Sequence, residues 1–237
     1  NQVKIGSATK RWQSAYELSK VLNDPELVPV DNSFKNQMIS AYRYSINDDP
    51  LVRAYLAIAM GATRDIFYAD DLIEGLNDDS RESRLAAIQA VGMVGTDAAV
   101  DQLVEIIKKS DFQDERLAAT MSLGFISNDS SVPFLISLLD DEEPNIRWDA
   151  AIGLAKMRNT ASVPTILKLM DREYLMMFPE LDQNEITSVI LTAIETTFMM
   201  SADEFEPNLE ALAKSDESLK VRDAAIKSLK KNYNKVI

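Results

Sequence analysis

Arginine recurs at Arg53, Arg84, Arg116 and Arg147, at intervals of 31, 32 and 31 residues, and returns at Arg222. Other columns move in step with it. Three residues after each arginine stand Leu56, Ala87, Ala119, Ala150 and Ala225, and seven residues after stand Met60, Val91, Leu123, Leu154 and Leu229. Gly61, Gly92 and Gly124 follow at the eighth position, with Ala155 in the fourth copy. Val100, Val132 and Val163 open the segments VDQLVEII, VPFLISLL and VPTILKLM at the same period. Several columns agreeing at one short period mean stacked supersecondary units. Each unit is too small to bury its apolar face alone and does so against its neighbours.

Each unit reads as two helices. Leu85, Ile88 and Val91 lie at i, i+3 and i+6 and share one apolar stripe. Acidic residues precede each arginine and suit N-caps, and the glycine after Met60 or Val91 suits a helix end. The second helix starts near Asp101, Pro133 or Pro164, where proline in a first turn loses no backbone bond. The expected fold is an all-α superhelix of about seven helical hairpins, a single solenoid over 1–237. Regular repeats occupy about 48–170. The first unit, 1–47, is irregular: KRWQSAYEL aligns Arg11 with Arg147, and the 42 residues to Arg53 imply an insertion around 23–33. Degenerate units fill 171–215, with a helix at 185–197 burying Ala193 and Ile194 and a partner helix at 204–214. An incomplete unit, 216–237, closes the chain.

The segments DDPLVRAYLAIAMG, DDSRESRLAAIQAVG, FQDERLAATMSLG and DDEEPNIRWDAAIGLA resemble the short HEAT-like repeats of the bilin-lyase type, within the HEAT-repeat family. The resemblance covers 48–170 most closely and 171–215 poorly. It implies fold, not chemistry, since related chains include phycobilin lyase subunits, a di-iron hydroxylase, DNA-glycosylase-like solenoids and bacterial scaffold proteins. It also implies that Arg53, Arg84, Arg116, Arg147 and Arg222 form a structural ladder with the turn acids, Asp49, Asp79, Asp111, Asp141 and Asp216, of their own or a neighbouring unit. Such pairs hold turns together without adding much net stability.

Composition then removes function classes. The 237 residues contain no histidine and no cysteine. That excludes the His-Glu iron site of the hydroxylase branch, thiolate metal sites and cysteine nucleophiles. The net charge of -13 and a pI near 4.5 argue against nucleic acid and anionic membrane as partners. No apolar run reaches the ~18 residues of a membrane-crossing helix. The acidic pairs, such as Asp140-Asp141, lack the register of a calcium loop. No phosphate loop, nucleophile elbow or dinucleotide fingerprint stands in the required context. The expectation is therefore a non-enzyme with no cofactor and no metal.

The charge is uneven: residues 61–150 hold 7 basic and 19 acidic groups. In solenoids resembling this one the second helices line the concave face. On that basis Asp65, Tyr68, Asp70, Asp71, Glu74, Asp97, Asp101 and Glu105 are candidates for an acidic groove that takes a basic protein segment. An ordinary solvated surface is the alternative. Tyr174, Met176, Met177 and Phe178 break the period and read as core filling in a degraded repeat or as an apolar partner patch. Pro179 is expected to end their helix. Trp12 and Trp148 share a column near the turn, and Tyr42, Tyr44, Tyr55 and Tyr68 read as inter-repeat packing or an aromatic groove. The reading is a protein-protein interaction scaffold, with a bilin or tetrapyrrole lyase-like subunit or chromophore chaperone as the alternative. The cytoplasm fits, as do the periplasm or a membrane-tethered position if the chain is a fragment opening at Asn1.

Overall fold

The computed structural model describes residues 7–235, so the expectations about the chain start at Asn1 and its last two residues lie outside the described part. Among the described residues there are fourteen α-helices and no strand, an array of about seven hairpins as the period requires. The chain divides into two compact units, one through Asn128 and one from Asp129.

In the first unit the helices are α1 (Ala8–Leu22), α2 (Asn32–Tyr44), α3 (Pro50–Ala62), α4 (Ala69–Gly75), α5 (Arg81–Val94), α6 (Val100–Lys109) and α7 (Gln113–Ile126). The helices carrying the arginine column, α1, α3, α5 and α7, pack side by side, and α2, α4 and α6 each lie against the following member of that row. The repeat columns are the reason. Leu56, Ala57, Met60, Ala87, Val91, Ala119 and Leu123 are fully buried. A Cβ on Gly61 would lie 2.7 Å from the Ala90 Cα, and one on Gly92 would lie 2.8 Å from the Ser122 Cα. First helices therefore touch almost backbone to backbone. Ser122 Oγ donates to the Ile88 carbonyl at 2.8 Å, and Ser83 Oγ to the Pro50 carbonyl at 3.2 Å, bonding one first helix to the next.

Second helices open through a 3₁₀ turn at Ile66–Tyr68 and Asp97–Ala99, each preceded by Asp65 or Thr96 in extended conformation. Asp65 accepts from the Phe67 N–H at 3.0 Å and so caps the turn. The insertion after α1 contains a 3₁₀ turn, Pro25–Leu27, capped by Asp24, and Asp31 then caps α2.

The second unit contains α8 (Val132–Ser137), α9 (Pro144–Lys156), α10 (Val163–Leu169), α11 (Arg172–Leu175), α12 (Gln183–Thr197), α13 (Phe205–Ser215) and α14 (Leu219–Tyr233). α12 begins on a capping box, Asp182 with Glu185, and buries Ala193 and Ile194 as expected. α13 and α14 pack together and complete a core around Ile166, Leu175, Ile190, Phe205 and Leu229. α11 ends at Leu175, so the helix stops four residues before Pro179 and not at it. Its N-terminus is set by Asp171, which accepts from the Glu173 and Tyr174 N–H groups.

Candidate functional site

The arginine ladder forms, and its acids come from the neighbouring repeat and not from the arginine's own turn. Arg53 is buried between the Tyr42 ring, 4.2 Å from its centroid, and the carboxylate of Asp78. Arg84 Nε donates to Glu115 Oε1 at 2.9 Å. Both acids lie in the turn or first helix of the following repeat. Arg11 with Asp48, at 2.5 Å, and Arg172 with Asp216, at 2.9 Å, follow the same forward rule. Towards the preceding turn the guanidinium binds backbone instead: Tyr42 O for Arg53, Asp78 O for Arg84, Ile107 O for Arg116, and Asp141 O for Arg147. This corrects the pairing expected with Asp49, Asp79 and Asp111. Asp49 caps α3, accepting from the Leu51 N–H at 2.9 Å, while Asp79 and Asp111 are exposed. Arg222 Nε is buried with no hydrogen-bond partner.

The acidic set is divided by the fold. Asp71 is buried and accepts from Arg43 Nε at 2.5 Å. Asp65 is bound to Lys35, which holds its carboxyl below the usual range. Glu105 is likewise held low by Lys109 one turn away. Tyr68 is a core residue, 1% exposed, and burial pushes its hydroxyl up to about 12. Asp70, Glu74, Asp97 and Asp101 remain solvent-exposed carboxylates. α4 and α6 make no comparable contact with one another, and a cavity of about 400 Å³ lies between the turn after α4 and α6, bordered by Leu76, Asn77, Arg84, Gln102, Ile106 and Glu115. Second helices thus stand apart where first helices touch. Within this unit α3, α5 and α7 form the tightly packed layer, because close helix approach follows the small residues and these sit on the first helices.

The solvent side of this layer is apolar. From Ala54 to Ala62, Leu85 to Val94 and Leu117 to Ile126 there is no charged residue. Leu117, Met121 and Phe125 fall at i, i+4 and i+8 on α7; Leu85, Gln89 and Met93 repeat the spacing on α5; Leu51, Tyr55 and Ile58 supply α3. Met93, Met121 and Phe125 are 44%, 43% and 57% exposed. Gly92 against Ser122 brings Met93 and Met121 onto adjoining helices, and the Met93 sulfur lies 3.2 Å from where a Gly61 Cβ would be. On the α1 side Trp12 stacks on Tyr55 with centroids 6.2 Å apart, and Tyr16 meets the same ring at 5.1 Å. A search for recurring columns passes over this surface because its residues vary from copy to copy. The missing charge was the signal.

In the second unit the Tyr174–Phe178 run splits. Phe178 packs edge-on to Trp148 at 5.0 Å and to Tyr174 at 5.2 Å, while Met176 and Met177 are 51% and 74% exposed. Trp148 is buried with its Nε1 unpartnered, unlike half-exposed Trp12 in the same column. Tyr42 is core as well, whereas Tyr44 is exposed. A second cavity, about 590 Å³, lies between α10–α11 and α13, bordered by Asp171, Glu173, Met176, Pro207, Asp216 and Glu217. Burial pushes the Asp149 carboxyl up to about 6, with Lys156 opposing. Among the described residues no group of three or more carboxylates is placed to hold a metal ion, and no helix is long and apolar enough to cross a membrane.

The model of HEAT repeats matches residues 43–124 and 100–174. No curated protein matches the sequence. Among solved structures, the chain is similar to the complex of CpcE and CpcF of phycocyanin lyase from Nostoc sp. PCC7120. The identity is 17%, over 97% of this chain and 85% of that one, with a TM-score of 0.66. It is also similar to an engineered protein at 14% identity, over 85% of this chain and 96% of that one, with a TM-score of 0.52. At these identities the likeness is one of fold alone.

Proposed function

This chain belongs to the HEAT-repeat family, and from that premise we propose that it is a non-catalytic scaffold that binds a protein partner. One observation carries the reading. Three adjacent helices present uncharged faces with Met93, Met121 and Phe125 open to solvent, in a chain that is 27% charged. Single exposed apolar residues are ordinary, whereas a patch continuous across neighbouring helices marks an interaction surface. Methionine adapts to a partner at low cost. The exposed carboxylates Asp70, Glu74, Asp97 and Asp101 lie on the second-helix side and act as a steering field for a basic partner, raising its association rate.

Immobilised chain exposed to lysate of its own cells, with chemical cross-linking, is expected to retain the same protein in independent repeats. Recovery of nothing above an empty support would end the scaffold reading. Pigment binding is the second reading, favoured by the likeness to the phycocyanin lyase structure. Against it, the 590 Å³ cavity is bordered by four carboxylates and by one cation, Arg172, already paired with Asp216 and Glu217, which leaves no free positive charge in the lining for the propionates of a bilin. An absorbance titration with bilin separates the two, a shifted and saturable band being the outcome that favours pigment.

A further inference from the structure

Resting on the scaffold reading, we infer that the α3–α5–α7 face takes an amphipathic helix with an apolar stripe and lysine- or arginine-rich ends. The floor decides between a helix and an extended segment. Its exposed positions offer few hydrogen-bonding side chains, Gln89 and Tyr55 among them, and no sheet edge exists among the described residues. An extended segment laid there would leave main-chain N–H and C=O groups desolvated and unpaired. A helix satisfies its own backbone and presents side chains at i, i+3, i+4 and i+7 to such a floor. α5 and α7 are each 14 residues long, so a helix lying along the groove between them has a floor roughly 20 Å in length. At 1.5 Å per residue that accommodates about 14 residues of helix.

The borders decide the charge. Asp79, Glu82 and Asp111 are exposed at the edge where α5 and α7 begin. At the opposite edge the carbonyl ends of α3, α5 and α7 carry partial negative charge, next to exposed Asp97. Arg64 is exposed at that edge, and Arg81 is tied to Asp114 at 2.6 Å. The excess is acidic where α5 and α7 begin, while at the other edge Arg64 offsets Asp97 and leaves the partial negative charge of the carbonyl ends; both complement cationic ends on an apolar helix and oppose an acidic one.

The test uses the full chain and a labelled 18-residue peptide with leucines at i, i+4, i+7 and i+11 and lysines at both ends. Fluorescence anisotropy at low salt is expected to show saturable binding, with the peptide gaining helix signal on complex formation. Scattering the same leucines around the helix, or replacing the lysines by glutamates, is expected to weaken binding at least tenfold. Met121→Glu with Phe125→Glu in the protein does the same, and so, to a smaller extent, does Met93→Gln, which guards against misfolding of the double variant. Glu180→Gln, at an exposed position of the second unit, is expected to leave affinity within twofold.

Equal binding of the scattered peptide, a bound peptide that stays extended, or unchanged affinity in folded Met121→Glu, Phe125→Glu protein would each overturn the inference. A lysate partner retained equally by that variant would leave the scaffold reading intact and remove this surface from it. Flotation with phosphatidylcholine vesicles, abolished by the same substitutions, would assign the face to lipid and overturn the helix reading too.

Discussion

Gly92→Ala adds one methyl group at the point where α5 and α7 come closest. The new Cβ would stand 2.5 Å from Ser122 Oγ, 2.7 Å from Ser122 Cβ and 2.8 Å from Ser122 Cα. The hydroxyl can rotate away, but the Cα cannot retreat without moving α7. Alanine gains about 1 kcal/mol of helix propensity over glycine. Overpacking a filled contact costs about 1–3 kcal/mol. Displacing Ser122 Oγ from the Ile88 carbonyl leaves a buried acceptor unpaired, costing about 1–3 kcal/mol more. The expected net loss is about 1–5 kcal/mol by these terms. Urea unfolding followed by circular dichroism measures it as a lower midpoint. Ser122→Ala in the same background is not expected to restore stability, because the Cα and Cβ contacts persist. Gly95→Ala is the control: its φ of +75° makes alanine cost about 1 kcal/mol, although nothing lies within 4 Å. A neutral or stabilising Gly92→Ala would refute the backbone-close layer of first helices, and the apolar face built on it.

Other perturbations test separate links. Arg53→Ala strands buried Asp78 and is expected to cost about 3–5 kcal/mol, whereas Arg81→Ala, at an exposed pair, is expected to leave the urea midpoint unchanged. The Asp149 carboxyl is raised to about 6 in the folded state from an ordinary 3.8, so the fold carries no penalty below pH 4, a growing one from 4 to 6, and the full penalty above. Asp149→Asn is therefore expected to stabilise the protein by on the order of 2 kcal/mol at pH 8 and not at pH 4, read from urea midpoints. Asp48, held below its usual range by the hydrogen bond from Arg11, has the opposite sign. Its contribution is complete above the ordinary carboxylate range and is lost as pH falls through the folded value. Asp48→Asn is expected to flatten the acid limb of a stability-pH profile.

The architecture was legible because the residues that repeat are those that pack. The columns of Leu56, Met60, Val91, Leu123 and Ala150 are core, and Gly61 and Gly92 mark the closest helix approach. Even the degraded helix at 183–197 was visible, since Ile190, Ala193 and Ile194 keep the helical spacing. The ladder partners were not legible. An arginine has turn acids within reach on both sides, and only the packing shows that Asp78 and Glu115 face Arg53 and Arg84 from the next repeat. The pairing of the acidic candidates was hidden for a related reason. Sequence shows a carboxylate without its counter-ion, and Asp65, Asp71 and Glu105 had Lys35, Arg43 and Lys109 waiting. The apolar face of α5 and α7 was present in the sequence as an interval without charge, but only the helix layering turns it outward.

A photo-cross-linking residue placed in turn at Gln89 and at Asp101 tests the central claim most directly. Both positions are solvent-exposed, one on the first-helix face and the other on the second-helix side. With the captured partner, the account expects adducts from position 89 and none above background from position 101. Adducts from 101 alone would contradict it and return the binding surface to the acidic second helices.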